Sequence, residues 1–374
     1  MQVLFITGQN QYGVVSHFLD GMREDLESVG VRTDSLSVES EQHIHRDLPQ
    51  LLPLQEYDQL ISFNGMGLHL EQAELSVPQY LKQRPVWVFC VDHPMHILKR
   101  IIGLNVILLC VDEEHVSFAQ LCGFNARLFP HAIGKQQLAN TSMMPLEDKS
   151  NEVVFPVSYM DSGSHRQALT PYWSQIGHWV EQSRSVTRFM QFIGVLPIGN
   201  RPASLTLNEQ ILRLCVTVDS YLRAKQREAC LHFFAQQNVN LTVIGRNSHC
   251  YQSIAPTHQY LNAMDFTDLQ QKIAAARYVV HNSPGFERGL HERVIYPLAL
   301  GTLVLTFETP YVNQTFPQVC LDAKQSSGQI SDKEYQQRRK QAHQQIEQQH
   351  CWHHQLRKLF TSPTTSPDSN GRTR

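Results

Sequence analysis

The stretch ARYVVHNSPGFERGLHERVIYPLALGTLVLT, from Ala276 to Thr306, predicts a complete strand–helix–strand unit. Its two apolar runs, Tyr278 to His281 and Leu303 to Thr306, are continuous rather than alternating, which is typical of strands buried on both faces of a parallel sheet. A polar loop from Asn282 to Leu290 and a helix beginning around His291 separate them. The loop is therefore predicted at the carboxyl end of a sheet, where open α/β folds bind ligands.

Polar and charged residues are concentrated in this loop and at the start of the helix. Free backbone N–H groups and a positive helix end suit phosphate and ribose hydroxyls. The candidate binding residues here are Asn282, Ser283, Gly285, His291, Glu292 and Arg293. The alternative for Asn282 and Ser283 is turn formation, and for Glu292 and Arg293 a surface ion pair. An arginine at a helix start opposes the helix dipole, which favours a bound anion.

Three pieces of this stretch resemble the donor-site segment of GT-B glycosyltransferases, in particular the spore-maturation (CgeB-like) branch of the group 1 glycosyl transferases. They are Gly-Leu-His-Glu-Arg-Val (289–294), Leu-Ala-Leu-Gly (298–301) and Thr-Leu-Val-Leu-Thr (302–306). In that family a loop, an arginine-containing helix start and an Ala-x-Gly turn hold a nucleotide-sugar, and Arg293 and Ala299-Leu300-Gly301 match them. Many relatives carry a glutamate that holds the donor ribose where this chain has Tyr296. Either Glu292 takes over that function or the donor is held differently.

Length and composition fit two domains and exclude several classes of protein. The chain has 374 residues, of which 41% are hydrophobic, enough to give each of two domains a core. The net charge of −2 leaves no basic surplus, so nucleic acid is not expected as a partner. The 8 cysteines form no CxxC pair and are predicted to be free thiols. The 19 histidines show no zinc-ligand spacing, so no metal site is predicted.

The amino terminus starts directly with a strand, MQVLFITG, and lacks the segments of a signal peptide. The longest apolar run, Ile101 to Val111, is interrupted by Gly103 and Asn105 and is too short to span a bilayer. The expectation is a cytoplasmic protein with at most peripheral membrane contact.

Short strands alternate with helical patterns along the chain, which predicts α/β architecture with doubly wound sheets. The Pro-His segment at Phe129–Ala132 is similar to the junction between the two domains of GT-B proteins. The predicted organisation is a Rossmann-like acceptor-side domain (1–132), a linker (133–150), a Rossmann-like nucleotide-sugar-binding domain (151–329) with a helical insertion (167–237), a C-terminal helix (330–360) and a disordered tail (361–374). The sparse apolar residues of the C-terminal helix favour a solvated surface helix. The resemblance implies instead that it crosses back to the first domain.

Loops of the first domain offer candidates for acid–base chemistry. Asp92 and His93 follow the predicted strand Val86 to Val91, where an imidazole beside a carboxylate can act as a base. The alternative is that Asp92 caps a helix and His93 is a bystander; His131 is a further candidate. A second loop, with Gly8, Gln9, Asn10 and Gly13, is a candidate to bind phosphate or the acceptor.

In the second domain, four further residues are candidates for donor binding: Ser158, Arg166, Arg246 and Asp265. Ser158 follows a predicted strand and resembles the first donor-side loop of the family, in which a glycine usually stands where this chain has Val157. For Arg246 a surface position is the alternative, and for Asp265 a helix cap.

The sequence therefore predicts a metal-independent, hexosyltransferase-like enzyme with two Rossmann-like domains facing across a cleft. It would move a sugar from a nucleotide-diphosphate-sugar to a hydroxyl of a glycan, protein or small molecule, without a cofactor. One alternative is an NAD-dependent dehydrogenase, although the chain lacks GxGxxG and offers only Asp34 for the ribose. Another is a non-catalytic nucleotide-sugar-binding module of the same fold.

Overall fold

The first half of the chain forms a six-stranded parallel sheet. In the computed structural model, residues 1–8, 11–72, 75–282, 285–307, 309–317, 319–324 and 330–361 are described. The strands are β1 (Gln2–Thr7), β2 (Arg32–Ser37), β3 (Gln59–Phe63), β4 (Glu71–Gln72), β5 (Leu75–Ser76), β6 (Val86–Cys90), β7 (Val106–Cys110) and β8 (Asn125–Leu128). The sheet has the order β2-β1-β3-β6-β7-β8, while β4 and β5 form a separate antiparallel pair. Strands β6 and β7 are buried at every position, as their continuous apolar sequences require.

Helices cover this sheet and bury their apolar faces on it. They are α1 (Val14–Glu27), α2 (Glu41–Asp47), α3 (Val77–Gln83), α4 (Leu98–Ile101), α5 (Glu113–Leu121) and α6 (Lys135–Asn140). On α1, Phe18, Met22 and Leu26 recur at helical spacing and are buried. Helix α6 lies in the predicted linker 133–150, which is therefore not irregular throughout. It packs on α1, since a Cβ on Gly134 would lie only 2.8 Å from the Cα of Gly21.

The second half forms another six-stranded parallel sheet. Its strands are β9 (Ser150–Pro156), β10 (Leu241–Ile244), β11 (Gln259–Leu261), β12 (Ala276–His281), β13 (Leu303–Thr306) and β14 (Leu321–Asp322). The order is β11-β10-β9-β12-β13-β14. Its helices are α7 (Ser162–Ala168), α8 (Trp173–Gln182), α9 (Val186–Phe192), α10 (Glu209–Gln236), α11 (Phe266–Ala275), α12 (Glu292–Ala299) and α13 (Pro310–Thr315). The predicted strand–helix–strand unit is confirmed as β12, α12 and β13.

Each sheet has one point at which the strand order reverses. It lies between β1 and β3 in the first sheet and between β9 and β12 in the second. Loops leave the two strands in opposite directions at such a point and open a crevice at their carboxyl ends. The prediction of two doubly wound Rossmann-like domains is thus confirmed, and the crevices place the loops after β1, β3, β9 and β12 at the candidate site.

The helical insertion packs on the first domain as well as on the second. Val218 and Leu222 of the 28-residue helix α10 share a hydrophobic core with Met95 and Leu98 of the first domain. Lys99 adds an ion pair with Glu209 at 2.8 Å. The expectation that this segment belongs to the second domain alone is therefore incomplete, because the apolar face of α10 is shared between the two halves.

The C-terminal segment forms two helices, α14 (Asp332–Gln349) and α15 (Trp352–Thr361), rather than one. Helix α14 packs on α12 and α15 on α1, so the chain returns to the first domain. The crossing is fixed by hydrogen bonds from Ile133 N–H to the His350 carbonyl at 3.0 Å and from Trp352 N–H to the Ile133 carbonyl at 2.9 Å. The interpretation of α15 as a solvated helix was wrong, because Trp352 is fully buried. Residues 362–374 of the predicted tail lie outside the described part.

A polar contact joins the start of α5 to the loop before α12. The buried carboxylate of Asp112 accepts hydrogen bonds from the N–H of Glu114 at 2.7 Å and of Arg288 at 2.8 Å. His115 Nε2 is 2.9 Å from the Gly285 carbonyl. The first domain therefore holds the loop of the second domain that follows β12.

Asp112 should make stability depend on pH in a defined window. Burial raises the pKa of Asp112 to about 6, against a usual value of 3.8. The folded state thus binds its proton more tightly than the unfolded state, so this contribution is complete below pH 4 and lost as the pH rises through 6. A shift of this size amounts to about 3 kcal/mol. Urea titrations of the wild type and of Asp112→Asn at pH 4 to 7 should show the variant gaining relative stability as pH rises. A constant difference between the two proteins would contradict the prediction.

Candidate functional site

A cleft of about 800 Å³ lies between the carboxyl ends of the two sheets. Seven residues proposed from the sequence line it, namely Gly8, Asp92, His131, Ser158, His291, Glu292 and Arg293. Gly8 allows the end of β1 to lie close to the loop after β3, because a Cβ at Gly8 would overlap the Met66 side chain. Both domains thus contribute to one site, as their strand-order reversals require.

The start of α12 carries a partly buried carboxylate, that of Glu292, between two histidines. His291 caps the helix, and its Nδ1 accepts a hydrogen bond from the N–H of Arg293 at 3.2 Å. Glu292 pairs with His291 and lies 3.6 Å from Nε2 of His131 in the first domain. Burial alone would raise the pKa of Glu292, but the attraction of His291, with that of Arg293, outweighs it and lowers that pKa. Glu292 is therefore ionised at the start of α12.

His131 is neutral in this arrangement. Burial lowers the pKa of His131 to about 4, and the nearby Glu292 only partly offsets this. Neither ring nitrogen forms a hydrogen bond with the described residues. His131 packs against Phe18 and Phe89, with ring centroids at 5.0 and 5.7 Å. Its surroundings are those of a packed side chain at the domain junction.

Three arginines converge on the second-domain side of the cleft. Arg223 and Arg293 line it. Arg227, one helical turn after Arg223, donates a hydrogen bond to the Ser158 carbonyl at 2.8 Å. Burial, together with repulsion by Arg293 and Arg223, lowers the pKa of Arg227 to about 10. The three guanidinium groups are thus close enough to raise one another's electrostatic energy, which an anion in the cleft would relieve.

Asp219 is the acidic partner of this cluster. Its Oδ2 lies 2.8 Å from Nε of Arg223 and 3.2 Å from Nε2 of His96. Nevertheless, neither Nε nor Nη2 of Arg223 donates a hydrogen bond to a described residue, since the ion pair is close but not aligned. Arg223 itself lines the cleft, with a side chain that is 17% exposed. Gly285 lies beside it, since a Cβ there would be 3.6 Å from Nη2 of Arg223.

No protein-family model and no curated protein sequence matches the chain. Among solved structures, an α-glucosyltransferase in complex with UDP and a 13-mer DNA containing an HMU base is similar with a TM-score of 0.56 at 12% identity, over 96% of this chain and 98% of that chain. Sucrose-phosphate synthase from Thermosynechococcus elongatus is similar with a TM-score of 0.55 at 10% identity and the same coverage. The chain has the GT-B fold. An α-glucosyltransferase in complex with UDP-glucose and DNA containing an abasic site is also similar, at 12% identity and a TM-score of 0.55 over 96% of this chain and 98% of that chain.

Some proposed residues lie outside the GT-B cleft. Arg166 stacks on Trp173, with its guanidinium carbon 3.5 Å from the ring centroid. The Arg246 side chain is exposed, and only its N–H contacts the cleft residue Ser158. Asp265 is exposed and makes no capping hydrogen bond, so neither of its proposed functions is supported by a contact. Asn282 is turned towards α10 and donates to the Gln226 carbonyl at 2.8 Å.

Two further proposed positions act through the backbone. Gly13 caps α1 with a left-handed φ of 78°, which any residue but glycine adopts with strain. Gly285 has a φ of 89° and presents its carbonyl to His115. Gln9, Asn10 and Ser283 lie outside the described residues.

His93, proposed as a catalytic residue with Asp92, is not in the cleft. It is 1% exposed, and its Nδ1 accepts a hydrogen bond from the N–H of Met95 at 3.2 Å. Burial, with repulsion by His115 and His96, lowers the pKa of His93. The loop turns this side chain into the core because Pro94 starts a 3-10 turn there. Asp92 remains in the cleft, and so does His96, three residues after His93.

Four residues at or beside the cleft were not predicted from the sequence, namely His96, Asp219, Arg223 and Arg227. A signal was present, since Asp219, Arg223 and Arg227 recur every four residues and so lie on one face of a helix. This pattern also fits a solvated ion-pair row, and only the fold places it at a cleft.

Tyr296 occupies the inner wall of the cleft, one turn after Glu292. Its ring stacks with Phe18 at 6.0 Å and meets Phe266 edge-on at 5.4 Å. Its hydroxyl has no hydrogen-bond partner among the described residues, although the ring is 2% exposed. Burial raises the pKa of Tyr296, so the hydroxyl stays protonated and is available as a donor.

Proposed function

We propose that this protein transfers a hexose from a nucleotide-diphosphate-sugar to an acceptor hydroxyl, with the donor on the second domain and the acceptor on the first. The observation that carries the proposal is the group of three arginines at the cleft. Arg223 lies beside Asp219, and Arg293 lies beside Glu292, which is already paired with His291. Arg227 lies close enough to both arginines to be repelled by them. A diphosphate bound in the cleft would place negative charge beside these guanidinium groups.

The same groups would stabilise the departing diphosphate. Negative charge grows on it as the sugar leaves, and fixed guanidinium groups in a cleft interact with that charge without reorganising. We therefore propose catalysis without a metal or a cofactor. Among the described residues, no group of three or more His, Cys, Asp or Glu side chains is placed to hold a metal ion.

Two of the similar structures support the choice of ligand, because they contain UDP and UDP-glucose. They also contain DNA. The net charge of −2 leaves this chain without a surplus of positive charge to bind a phosphate backbone. The proposed acceptor is therefore a glycan, protein or small molecule rather than nucleic acid. Assignment to the spore-maturation branch is proposed from residues 289–306.

The proposed location is the cytoplasm, where nucleotide-sugars are made. Within the described part of the chain, every helix is too short or too polar to cross a membrane. Contact with a membrane surface is compatible with the proposed activity.

A nucleoside diphosphate should raise the unfolding temperature of the wild type, and should do so in EDTA. A ligand at 100 times its Kd adds about 2.7 kcal/mol of apparent stability. The measurement is a thermal-shift screen with UDP, GDP, ADP and NADH. Dependence on Mn²⁺ or Mg²⁺ would show that a metal takes part in donor binding.

The same screen tests the dehydrogenase alternative, which predicts a response to NADH and none to nucleoside diphosphates. Asp34, the acidic residue that this alternative uses, lies within β2 and already accepts a hydrogen bond from the Tyr57 hydroxyl at 2.8 Å. The binding-module alternative predicts the nucleotide response without turnover of any nucleotide-sugar.

A further inference from the structure

The loop after β6 places one histidine in the cleft and another outside it. His93 is buried and its Nδ1 is occupied, whereas His96 lines the cleft with a side chain that is 30% exposed. His131 also lines the cleft but is almost completely buried among aromatic rings. Of these three histidines, His96 alone combines access to the cleft with a carboxylate partner.

That partner fixes which nitrogen of His96 carries the proton. Nε2 of His96 lies 3.2 Å from Oδ2 of Asp219. Burial alone would raise the pKa of Asp219, but Arg223 and His96 outweigh it and lower that pKa, so Asp219 is ionised. An ionised carboxylate only accepts hydrogen bonds. The neutral imidazole must therefore carry its hydrogen on Nε2, which leaves the Nδ1 lone pair without a hydrogen bond to any described residue.

We infer that His96 is the general base that takes the proton from the acceptor hydroxyl, with Asp219 as its positioning residue, and that transfer inverts the configuration of the sugar. The inference rests on the proposed function and names its base. Asp92, on the same loop, is the competing candidate, but no hydrogen bond to a described residue orients its carboxylate.

The acceptor O–H bond breaks and its proton moves to Nδ1 of His96, while the acceptor oxygen forms a bond to the anomeric carbon. The bond from that carbon to the diphosphate oxygen breaks, and its electron pair leaves with the diphosphate. Attack comes from the face opposite the leaving group, so an α-linked donor gives a β-linked product. The positive charge on His96 is then stabilised by Asp219.

Asp219 connects the two ends of this reaction. Its carboxylate contacts the proposed base, His96 of the first domain. It also contacts Arg223 of the second domain, which is proposed to bind the diphosphate. The side chain of Asp219 is only 3% exposed, so both contacts are shielded from water. The base is therefore positioned only when the two domains meet as they do here.

His96→Asn should separate binding from turnover. We expect its nucleoside-diphosphate affinity, measured by calorimetry, to stay within about two-fold of the wild type, because His96 does not touch the proposed phosphate site. Hydrolysis of UDP-glucose, ADP-glucose and GDP-mannose, with water as acceptor, should fall by 10²- to 10⁴-fold. The matched control is His45→Asn, at an exposed position of α2, which should retain full turnover.

Two further measurements test chemistry rather than packing. Imidazole added to His96→Gly should restore part of the turnover. Asp219→Asn should lower kcat by a larger factor in the wild-type background than in His96→Gly with imidazole, because only the contact of Asp219 with Arg223 is left to lose once His96 is gone. Early NMR spectra of the released sugar should show the β anomer.

Undiminished turnover by His96→Asn, or release of the α anomer, would overturn the inference. Each leaves the proposed function intact, provided that nucleoside diphosphates bind. Failure of the wild type to bind any of these nucleotides would instead refute the proposed function.

Discussion

Arg293→Ala should lose ten- to a hundred-fold in nucleoside-diphosphate affinity while remaining folded. Arg293 lines the cleft and is 31% exposed, and Glu292 beside it keeps its pair with His291, so the variant should still fold. A charge-assisted hydrogen bond to a partly buried diphosphate contributes about 1.5 to 3 kcal/mol. Arg293→Lys should recover only part of the loss, since lysine keeps the charge without the two-pronged geometry. Calorimetric titration with UDP, GDP and ADP measures the effect.

The control for this variant is Arg213→Ala. Arg213 lies on α10, is 71% exposed and pairs with Glu209 at 2.8 Å, away from the cleft. Its removal should leave nucleotide affinity unchanged. Equal affinities of wild type and Arg293→Ala would remove Arg293 from the site, and its contact with Glu292, 3.8 Å from Nε to Oε1, would be its remaining function.

Trp352→Ala should be the most destabilising single substitution in the C-terminal segment, at about 3 to 5 kcal/mol. Trp352 is fully buried; its ring stacks on Phe129 at 5.7 Å and meets Phe89 and Phe18 edge-on at 5.9 and 6.3 Å. Alanine would leave a large cavity among these rings. Because Nε1 has no hydrogen-bond partner among the described residues, Trp352→Phe should keep most of the stability. Urea unfolding followed by circular dichroism measures both.

Trp179→Ala serves as the comparison, because Trp179 is only half-buried and contacts the rings of Phe192 at 5.2 Å and of the exposed His178 at 3.9 Å. It should cost clearly less than Trp352→Ala. If both substitutions shift the urea midpoint equally, or if Trp352→Ala shifts it not at all, α15 is not part of the core of the first domain.

The sheets could be predicted well because a buried parallel strand appears in the sequence as a continuous apolar run. The runs Tyr278–His281 and Leu303–Thr306 had no other reasonable interpretation, and the loop between them led to Arg293 and Glu292. The same reasoning does not show the direction of a side chain within a loop. Asp92, His93 and His96 are equally polar in sequence, and only the turn at Pro94 decides that His93 enters the core.

The residues of α10 were missed for another reason. Arg223 and Arg227 lie far along the chain from Arg293, and the segment that carries them looks like an insertion. Their proximity comes from the packing of a long helix between two domains, which local patterns do not encode. The C-terminal helix was misjudged because Trp352, Leu356 and Leu359 form a narrow apolar stripe beside many charged residues.

The chain passes between the domains twice, once after Ala132 and once before Trp352. The two passages run side by side, because Ile133 pairs with Cys351. Two adjacent covalent connections form a hinge between the domains. They permit rotation of one domain about the line through them and resist sliding and twisting. Any opening that admits a donor and releases its products must then be a single-axis hinge motion. Since Glu292 and His131 lie close to each other across this junction, they should move little in such an opening.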